Sequence, residues 1–286
     1  MIYKMGFKIL FGLFGHEFRK SYLIRVARVV DNFIVSLLKS DFAEVQGHKM
    51  FLDSKDDLRL SIHGVVEPFE TELVKKGIKE GDVVLDIGAN IGYYTLIFAK
   101  LVGEEGKVFA FEPEPENFAL LKKNVEINGY KNVILVQKAV SNKTGRTKLY
   151  LCEESAGDHR IYDWLDGRQS IEIEVIRLDD YFKDYDGKID FIKIDIQGAE
   201  SEAIQGMSNL LDKNKTVKII TEFAPLWLKR SGIEPEEFLK LLQKHDFKLY
   251  RVDKQKIKPL INLRKLLQIY TPENDNFTSL LCLREK

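Results

Sequence analysis

The sequence predicts an α/β protein: a mainly parallel sheet with helices on both faces. Three observations point there. Short apolar stretches of strand length alternate with helical patterns along most of the chain. An apolar stretch at Val83–Ile87 runs straight into a glycine-rich turn and then a helical pattern. Finally, 286 residues at 44% hydrophobic and 31% charged give one large domain, or one with a small appendage, a sizeable core. In order, Asp82–Ile87 reads as a strand, Ile91–Leu101 as a helix, Lys107–Glu112 as a strand, Pro115–Asn128 as a helix and Asn132–Lys138 as a third strand. Alternating stretches at Thr147–Cys152 and Ile171–Arg177 flank a polar loop. Strand Asp190–Asp195, helix Glu200–Leu211, strand Val217–Phe223 and helix Pro235–His245 follow. Phe247–Val252 and Phe277–Leu283 suit a hairpin at the sheet edge. Such alternation implies right-handed βαβ units, whose sheets place ligands beyond the carboxyl ends of their strands.

Charge narrows the partners. Lys+Arg and Asp+Glu are both 44, so the net charge is zero. A chain that lives on phosphates carries a basic excess, so nucleic acid is not an expected partner. Cys152 and Cys282 make neither a disulfide framework nor a zinc cluster, which predicts a reducing, cytoplasmic setting. Residues 1–40 hold seven basic side chains against Glu17 and Asp31. Within them Tyr22, Val26, Val29, Phe33 and Leu37 share one helical face. We expect an amphipathic helical extension over 1–45 and the main domain over 46–286. Such a basic helix can pack on its own domain, cap a second copy, or lie on the anionic inner surface of a membrane. The apolar run Ile9–Phe14 is far below the ~20 residues of a membrane span, and no signal peptide is expected.

The chemical signal starts at Asp86-Ile87-Gly88-Ala89-Asn90-Ile91-Gly92-Tyr93-Tyr94-Thr95. Gly88 and Gly92 leave backbone room at a strand-to-helix turn, where helix N–H groups face a ligand. A dinucleotide site wants a glycine where Asn90 stands, and Asp86 would repel a phosphate, so a ligand with a cationic end fits better. An ordinary tight turn is the plain alternative. Glu112, ending the second strand before Pro113, can accept hydrogen bonds from both hydroxyls of a ribose. Ala139, Val140 and Ser141 close the third strand with a small apolar surface on which an adenine can lie.

Asp86–Thr95, Phe111-Glu112-Pro113 and Asp190-Phe191-Ile192-Lys193-Ile194-Asp195-Ile196-Gln197-Gly198-Ala199-Glu200 together resemble the FkbM family of S-adenosylmethionine-dependent methyltransferases. The likeness runs from about Glu67 to Val252 and includes Glu67-Pro68, the Gly157-Asp158-His159-Arg160 loop and Leu178-Asp179-Asp180-Tyr181. One departure stands out: Gln197 occupies a position where the family usually has Glu. The resemblance implies a class I methyltransferase, Rossmann-like, with seven strands, the last antiparallel. It implies S-adenosylmethionine as cofactor, with Asp86, Gly88, Asn90 and Gly92 around its methionine part, Glu112 at the ribose, Ala139, Val140 and Ser141 beside the adenine, and Glu67 and Asp195 as further cofactor contacts, Asp195 at its amino group. It also implies methylation of hydroxyl or carboxyl oxygens on glycans or small metabolites. A non-catalytic cofactor-binding protein of the same fold and a nicotinamide-dependent oxidoreductase are the other classes to weigh.

An alcohol acceptor must lose a proton, so a base within hydrogen-bond reach should help; a carboxylate acceptor needs none. Three residues compete as that base: His159, in a polar loop with Asp158 and Arg160, Asp195, at the end of the fourth strand, and Glu222, which ends the next strand before Pro225; His159 and Asp195 are the preferred two. Arg160, Trp164 and Glu222 are candidate contacts to the acceptor. Each has a plain alternative: an exposed loop histidine, a helix cap, a surface ion pair, or an aromatic closing a core. No spacing in the chain demands a metal.

Overall fold

The computed structural model describes residues 42–284, apart from residues 154 and 254. The expected amphipathic helix lies outside the described residues, and with it any membrane or interface role. The last four residues of the expected extension form a strand instead. Strand β1 (Phe42–Val45) turns at Gln46-Gly47 into β2 (His48–Phe51) as an antiparallel hairpin. Short helix α1 (Leu60–His63) and helix α2 (Pro68–Gly77) precede the sheet's first strand.

β3 (Val83–Ile87), α3 (Tyr93–Val102), β4 (Lys107–Phe111), α4 (Pro115–Ile127) and β5 (Val133–Val136) follow the expected alternation. Helix α4 is opened by Glu114. The Glu114 carboxylate accepts from the Asn117 N–H at 2.6 Å, and Pro115 takes the first helical position, where a missing N–H costs nothing. Next come β6 (Ala139–Val140), β7 (Gly145–Tyr150) and β8 (Ser170–Ile176), which form a separate three-stranded sheet in the order β6-β8-β7. Short helix α5 (Leu178–Tyr181) leads to β9 (Phe191–Ile194). The helix expected over Glu200–Leu211 is split into α6 (Glu200–Gly206) and α7 (Ser208–Lys213), because Met207 leaves helical geometry at φ −124, ψ 20. The chain ends with β10 (Lys218–Phe223), α8 (Pro225–Arg230), α9 (Pro235–Lys244), β11 (Lys248–Asp253), β12 (Lys256–Pro259), α10 (Leu263–Ile269) and β13 (Thr278–Leu283).

The main sheet has the order β12-β11-β13-β10-β9-β3-β4-β5. From β10 to β5 the five strands are parallel. The last strand in sequence, β13, inserts antiparallel between β10 and β11. This is the class I methyltransferase order, with β12 added as an eighth strand at the edge. The last two predicted strands do pair with each other, but β13 lies inside the sheet and β12 takes the edge.

Side chains alternate across the strands, as their period of two requires. Leu85, Ile87, Phe109, Ile192 and Ile194 pack with α6, α7 and α9 on one face, through Ala203, Ile204, Leu211 and Phe238. Val84, Val108, Ala110, Phe191 and Ile220 pack with α2, α3 and α4 on the other, through Val74, Leu96, Phe98 and Leu121. Burying the central strands on both sides leaves only their carboxyl ends for chemistry. Among the described residues no helix is long and apolar enough to cross a membrane.

Candidate functional site

The strand registers line up one row along the carboxyl edge. Ile87 pairs with Phe111 on one side and Ile194 on the other, Thr221 pairs with Ile194, and Glu222 pairs with Ser279. One residue further along, Glu112, Gly88, Asp195, Glu222 and Ser279 stand side by side, about 4.8 Å between neighbouring strands. Two residues back on β3 and β9, Asp86 pairs with Lys193 on the same face.

A narrow cleft opens at the Glu112 end. Its polar wall is Gly88, Asn90, Glu112, Asn117, His159 and Asp195; its apolar wall includes Ala139, Val140, Leu149 and Ile161. Glu112 organises this end. One of its oxygens accepts from the Asn90 N–H at 2.9 Å and the other from the Glu114 N–H at 2.9 Å. Each oxygen keeps a further lone pair for a ligand hydroxyl. Burial pushes Glu112 up to about 7, against the pull of these two N–H donors. Gly88 has φ +86, and a Cβ there would sit 1.9 Å from the Asp195 carbonyl oxygen. The β3 turn can therefore approach the β9 turn only through glycine. Gly92 has another purpose: its Cβ would meet Leu121 at 2.7 Å, so it lets α3 pack on α4.

The middle of the row is a buried charge cluster. Lys193 is only 5% exposed at its side chain and reaches Asp195 at 3.0 Å. Burial alone would lower this ammonium, yet Asp195, Glu70, Glu67 and Asp86 raise it well above its ordinary value and keep it charged. Asp195 accepts from Lys193 on one oxygen and from the Gln197 side-chain amide at 3.0 Å on the other. Burial would raise it, but those partners hold it below the usual carboxylate range. Gln197 thus serves as an amide donor. Asp86 is buried and accepts from the Thr95 hydroxyl at 2.5 Å; burial, partly offset by Lys193, moves it up to about 6. Glu222 is pushed well up by burial and by Asp195, Glu200 and Glu67, and its Oε2 is buried without a hydrogen-bond partner. Among the described residues no group of three or more His, Cys, Asp or Glu could hold a metal ion.

The loop between β7 and β8 covers the cleft. It is pinned by a backbone pair between Tyr150 and Arg160, by Asn117, whose side-chain amide donates to the Ala156 carbonyl at 2.9 Å, and by Tyr162, whose hydroxyl donates to the Gln197 carbonyl at 2.7 Å. His159 lines the cleft, and its Nδ1 accepts from the Cys152 N–H at 3.0 Å. A backbone N–H can only donate, so the neutral ring carries its proton on Nε2. Burial lowers its pKa and favours that neutral form. The imidazole is therefore set to donate rather than to accept. Arg160 is buried, bonded to Asp158, and holds its guanidinium carbon 3.4 Å from the Trp164 ring centroid and 5.2 Å from that of Trp227.

A second, wider cleft lies at the other end of the row, between α2 and the strands that end the chain. Glu67, Glu70, Tyr270, Phe277, Thr278 and Ser279 are among its walls. Glu67 holds a left-handed conformation at φ 43, hydrogen-bonds the Tyr94 hydroxyl at 3.3 Å, and is raised by burial and by Glu70 to about 7.

Of the residues singled out in the sequence, Gly88, Asn90, Glu112, Ala139, Val140, His159 and Asp195 come together around the first cleft. Asp86 and Gly92 support it from behind. Ser141 is fully buried and donates to Glu202 at 2.6 Å; it does not line the cleft. Glu67 lines the second cleft, Arg160 and Trp164 form a stacked pair in the covering loop, and Glu222 sits between the two clefts. Sequence reasoning gave Lys193 no role. Its signal was present: a lone cation interrupting the apolar run Phe191-Ile192-Lys193-Ile194, two residues before Asp195 and so on the same face.

A family model for the methyltransferase FkbM domain matches residues 86–249, more than half the chain. The chain belongs to the FkbM methyltransferase family. This methyltransferase uses S-adenosylmethionine as methyl donor. Among its relatives are the 2-O-methyltransferase NoeI of Sinorhizobium fredii, 27% identical over 68% of this chain and 86% of that protein. The hexuronic acid methyltransferase AglP of Haloferax volcanii is 28% identical over 59% of this chain and 65% of its own length. Methyltransferase sdnD of Sordaria araneosa is 27% identical over 54% and 69%. Among solved structures, a Thermotoga maritima S-adenosylmethionine-dependent O-methyltransferase covers 87% of both chains at 15% identity and a TM-score of 0.43. A Streptococcus mutans putative methyltransferase in complex with SAH covers 76% of this chain and 95% of its own at 11% identity and a TM-score of 0.45.

Proposed function

We propose that this methyltransferase transfers a methyl group to an oxygen of a glycan or small metabolite, with the donor in the Glu112 cleft. The observation that carries this reading is the row Glu112–Gly88–Asp195–Glu222 along the carboxyl edge, with the narrow Glu112 cleft at one end and the second cleft beside Ser279 at the other. Relatives named as a 2-O-methyltransferase and a hexuronic acid methyltransferase support an oxygen acceptor.

The residues present suit the cofactor chemically. Glu112 offers its free lone pairs to the two ribose hydroxyls, and Ala139, Val140, Leu149 and Ile161 supply an apolar wall for the base. Asp195, ionised by Lys193, faces the end that carries positive charge. When bound, S-adenosylmethionine supplies an electrophilic methyl carbon on a sulfonium that departs as a neutral thioether. The protein's part is alignment and electrostatics. Gly88 brings the β3 and β9 turns close enough for Glu112 and Asp195 to act on one ligand. His159, neutral with its proton on Nε2, donates into the cleft. Asp195 is too well satisfied by Lys193 and Gln197 to be a strong base, and serves better as a fixed negative charge.

Calorimetric titration with S-adenosylmethionine and S-adenosylhomocysteine tests the donor site, and labelled-methyl transfer followed by mass identification tests the oxygen acceptor. Micromolar binding and a mass gain of one methyl on oxygen are expected. Binding of neither nucleoside would end the reading.

A further inference from the structure

We propose that the second cleft is the acceptor site, that it takes an uncharged carbohydrate ring, and that Glu222 receives the proton of the hydroxyl being methylated. This rests on the methyl-transfer reading and adds to it the acceptor's place, its class and its base.

Topology supplies the first step. Strand β13 runs antiparallel beside β10, so Ser279 stands directly opposite Glu222 on the same face. Ser279 lines the second cleft. Glu222 is thus one strand from that cleft and one strand from Asp195, which lines the donor cleft. Along the sheet, Glu222 therefore stands between Ser279 and Asp195.

The walls supply the second step. Glu67 brings a carboxyl to this wall, while the Ser279 hydroxyl is bonded to buried Glu70 and the Thr278 hydroxyl donates to the Val252 carbonyl at 3.2 Å, each keeping a lone pair that a polyol hydroxyl can use. Phe277 is 53% exposed and stacks one face on Trp227 at 5.8 Å and 23°. Its outer part is placed to cover the C–H face of a sugar ring, as aromatic walls do for amphipathic ligands. Charge excludes an acidic acceptor at the inner end. Five carboxyl groups, Glu67, Glu70, Asp86, Asp195 and Glu222, crowd one buried cation, Lys193; Asp195 alone is held ionised by it, and the other four are already pushed toward their protonated forms. A uronate or other carboxylate delivered there would add a like charge in a desolvated place. At the outer rim Asp253 is neutralised by Arg251 and Lys258, with exposed Lys256 beside it.

Glu222 supplies the third step. Its Oε2 is buried without a donor, and a substrate hydroxyl is the donor it lacks. The groups that face it are Asp195, Glu200, Glu67 and Lys193. As the O–H bond breaks toward Glu222, the oxygen's electron pair forms the bond to the methyl carbon. The carbon–sulfur pair stays on sulfur, and the carboxylate ends protonated. Burial and three neighbouring acids favour its protonated form, so Glu222 first gives up its own proton to solvent as pH rises; once ionised it is a stronger base than Asp195, which Lys193 holds down.

The test incubates the full chain with labelled S-adenosylmethionine and carbohydrate extracted from the producing cells, split by anion exchange into neutral and acidic fractions. The neutral fraction should gain an alkali-stable methyl ether. It should also change the emission of the chain's two tryptophans in the S-adenosylhomocysteine complex, while the acidic fraction changes neither. Glu222→Gln should lower the transfer rate roughly 10²–10⁴-fold, remove its rise with pH, and leave S-adenosylmethionine binding within about twofold, since Glu222 lies outside the donor cleft. Phe277→Ala, an exposed change that should fold, is expected to raise KM about tenfold with kcat nearly kept and to abolish the emission change. Label confined to the acidic fraction, an alkali-labile ester, or label in neither fraction while the nucleoside still binds would overturn the proposal and leave the donor site standing. Full activity of Glu222→Gln with an unchanged pH profile would remove its role as base.

Discussion

The two ends of the carboxyl-edge row are built differently. At the Glu112 end, four parallel strands (β9, β3, β4, β5) finish together, and the side chains there are bound to backbone: Glu112 to Asn90 and Glu114, Glu200 to Ile196 and Gly198. At the Ser279 end the strands are antiparallel, and the walls come from α2 and from the two ends of the long connection between β11 and β13. A ligand common to a whole family needs a rigid, pre-formed place; an acceptor that differs between relatives needs walls that can change without disturbing the sheet. The contrast therefore predicts that damage at the first end falls on folding and donor binding together. Damage at the second end should fall on the acceptor alone.

The largest effect is expected at Gly88. Gly88→Ala puts a methyl group into the Asp195 carbonyl from a left-handed backbone, and should cost about 3 kcal/mol or more of stability and abolish nucleoside binding. Denaturant unfolding and calorimetry measure both. Near-normal stability would show that the β3 and β9 turns are not locked together.

Lys193→Met should follow. It leaves Asp195, Glu70, Glu67 and Asp86 without their shared cation, and removing one member of a buried ion cluster costs about 3–5 kcal/mol. Because Lys193 serves both ends, this variant should impair donor binding and transfer alike. A loss confined to one end would break the picture of a shared cluster.

Stability against pH gives a smaller effect of defined sign. Burial raises Glu112 and Glu200 to about 7 and Asp86 to about 6. The folded state holds these protons more tightly than the unfolded state, so their contribution is complete at low pH and is lost as pH rises through the folded values. His48, His159 and His245 are lowered by burial, and their contribution is lost in the other direction, as pH falls. Between pH 6.5 and 8 the carboxyls dominate, and the melting temperature should fall. Glu200→Gln should flatten that decline. A melting temperature that rises over this interval would contradict the assignment of buried, protonated carboxyls. Phe277→Ala should have the least effect on folding, no more than about 0.5 kcal/mol, with nucleoside affinity unchanged.

The parallel core was legible in the sequence because its strands are uniformly apolar and separated by well-marked helices. Asp86–Gly92, Glu112 and Asp195 were legible because their places at strand ends follow from that alternation. The second cleft was not, because it depends on pairing. Nothing between Val252 and Phe277 says that Ser279 will stand opposite Glu222, and register across an antiparallel pair is fixed only by the folded sheet. The β1–β2 hairpin escaped for a related reason: its four-residue strands carry Glu44, His48 and Lys49 and show no sustained apolar period. Helix α8 escaped because six residues are too few for a helical period to show. The role of His159 turned on a single backbone contact, from Cys152, which spacing alone cannot supply.

Titration calorimetry of S-adenosylmethionine into the wild type and Glu112→Ala tests the donor cleft most directly. The wild type should bind in the micromolar range, and the variant about 100-fold or more weaker, because one change removes the proposed ribose contacts and frees the Asn90 and Glu114 N–H groups. Equal affinity in the two proteins would place the nucleoside somewhere other than the end of β4.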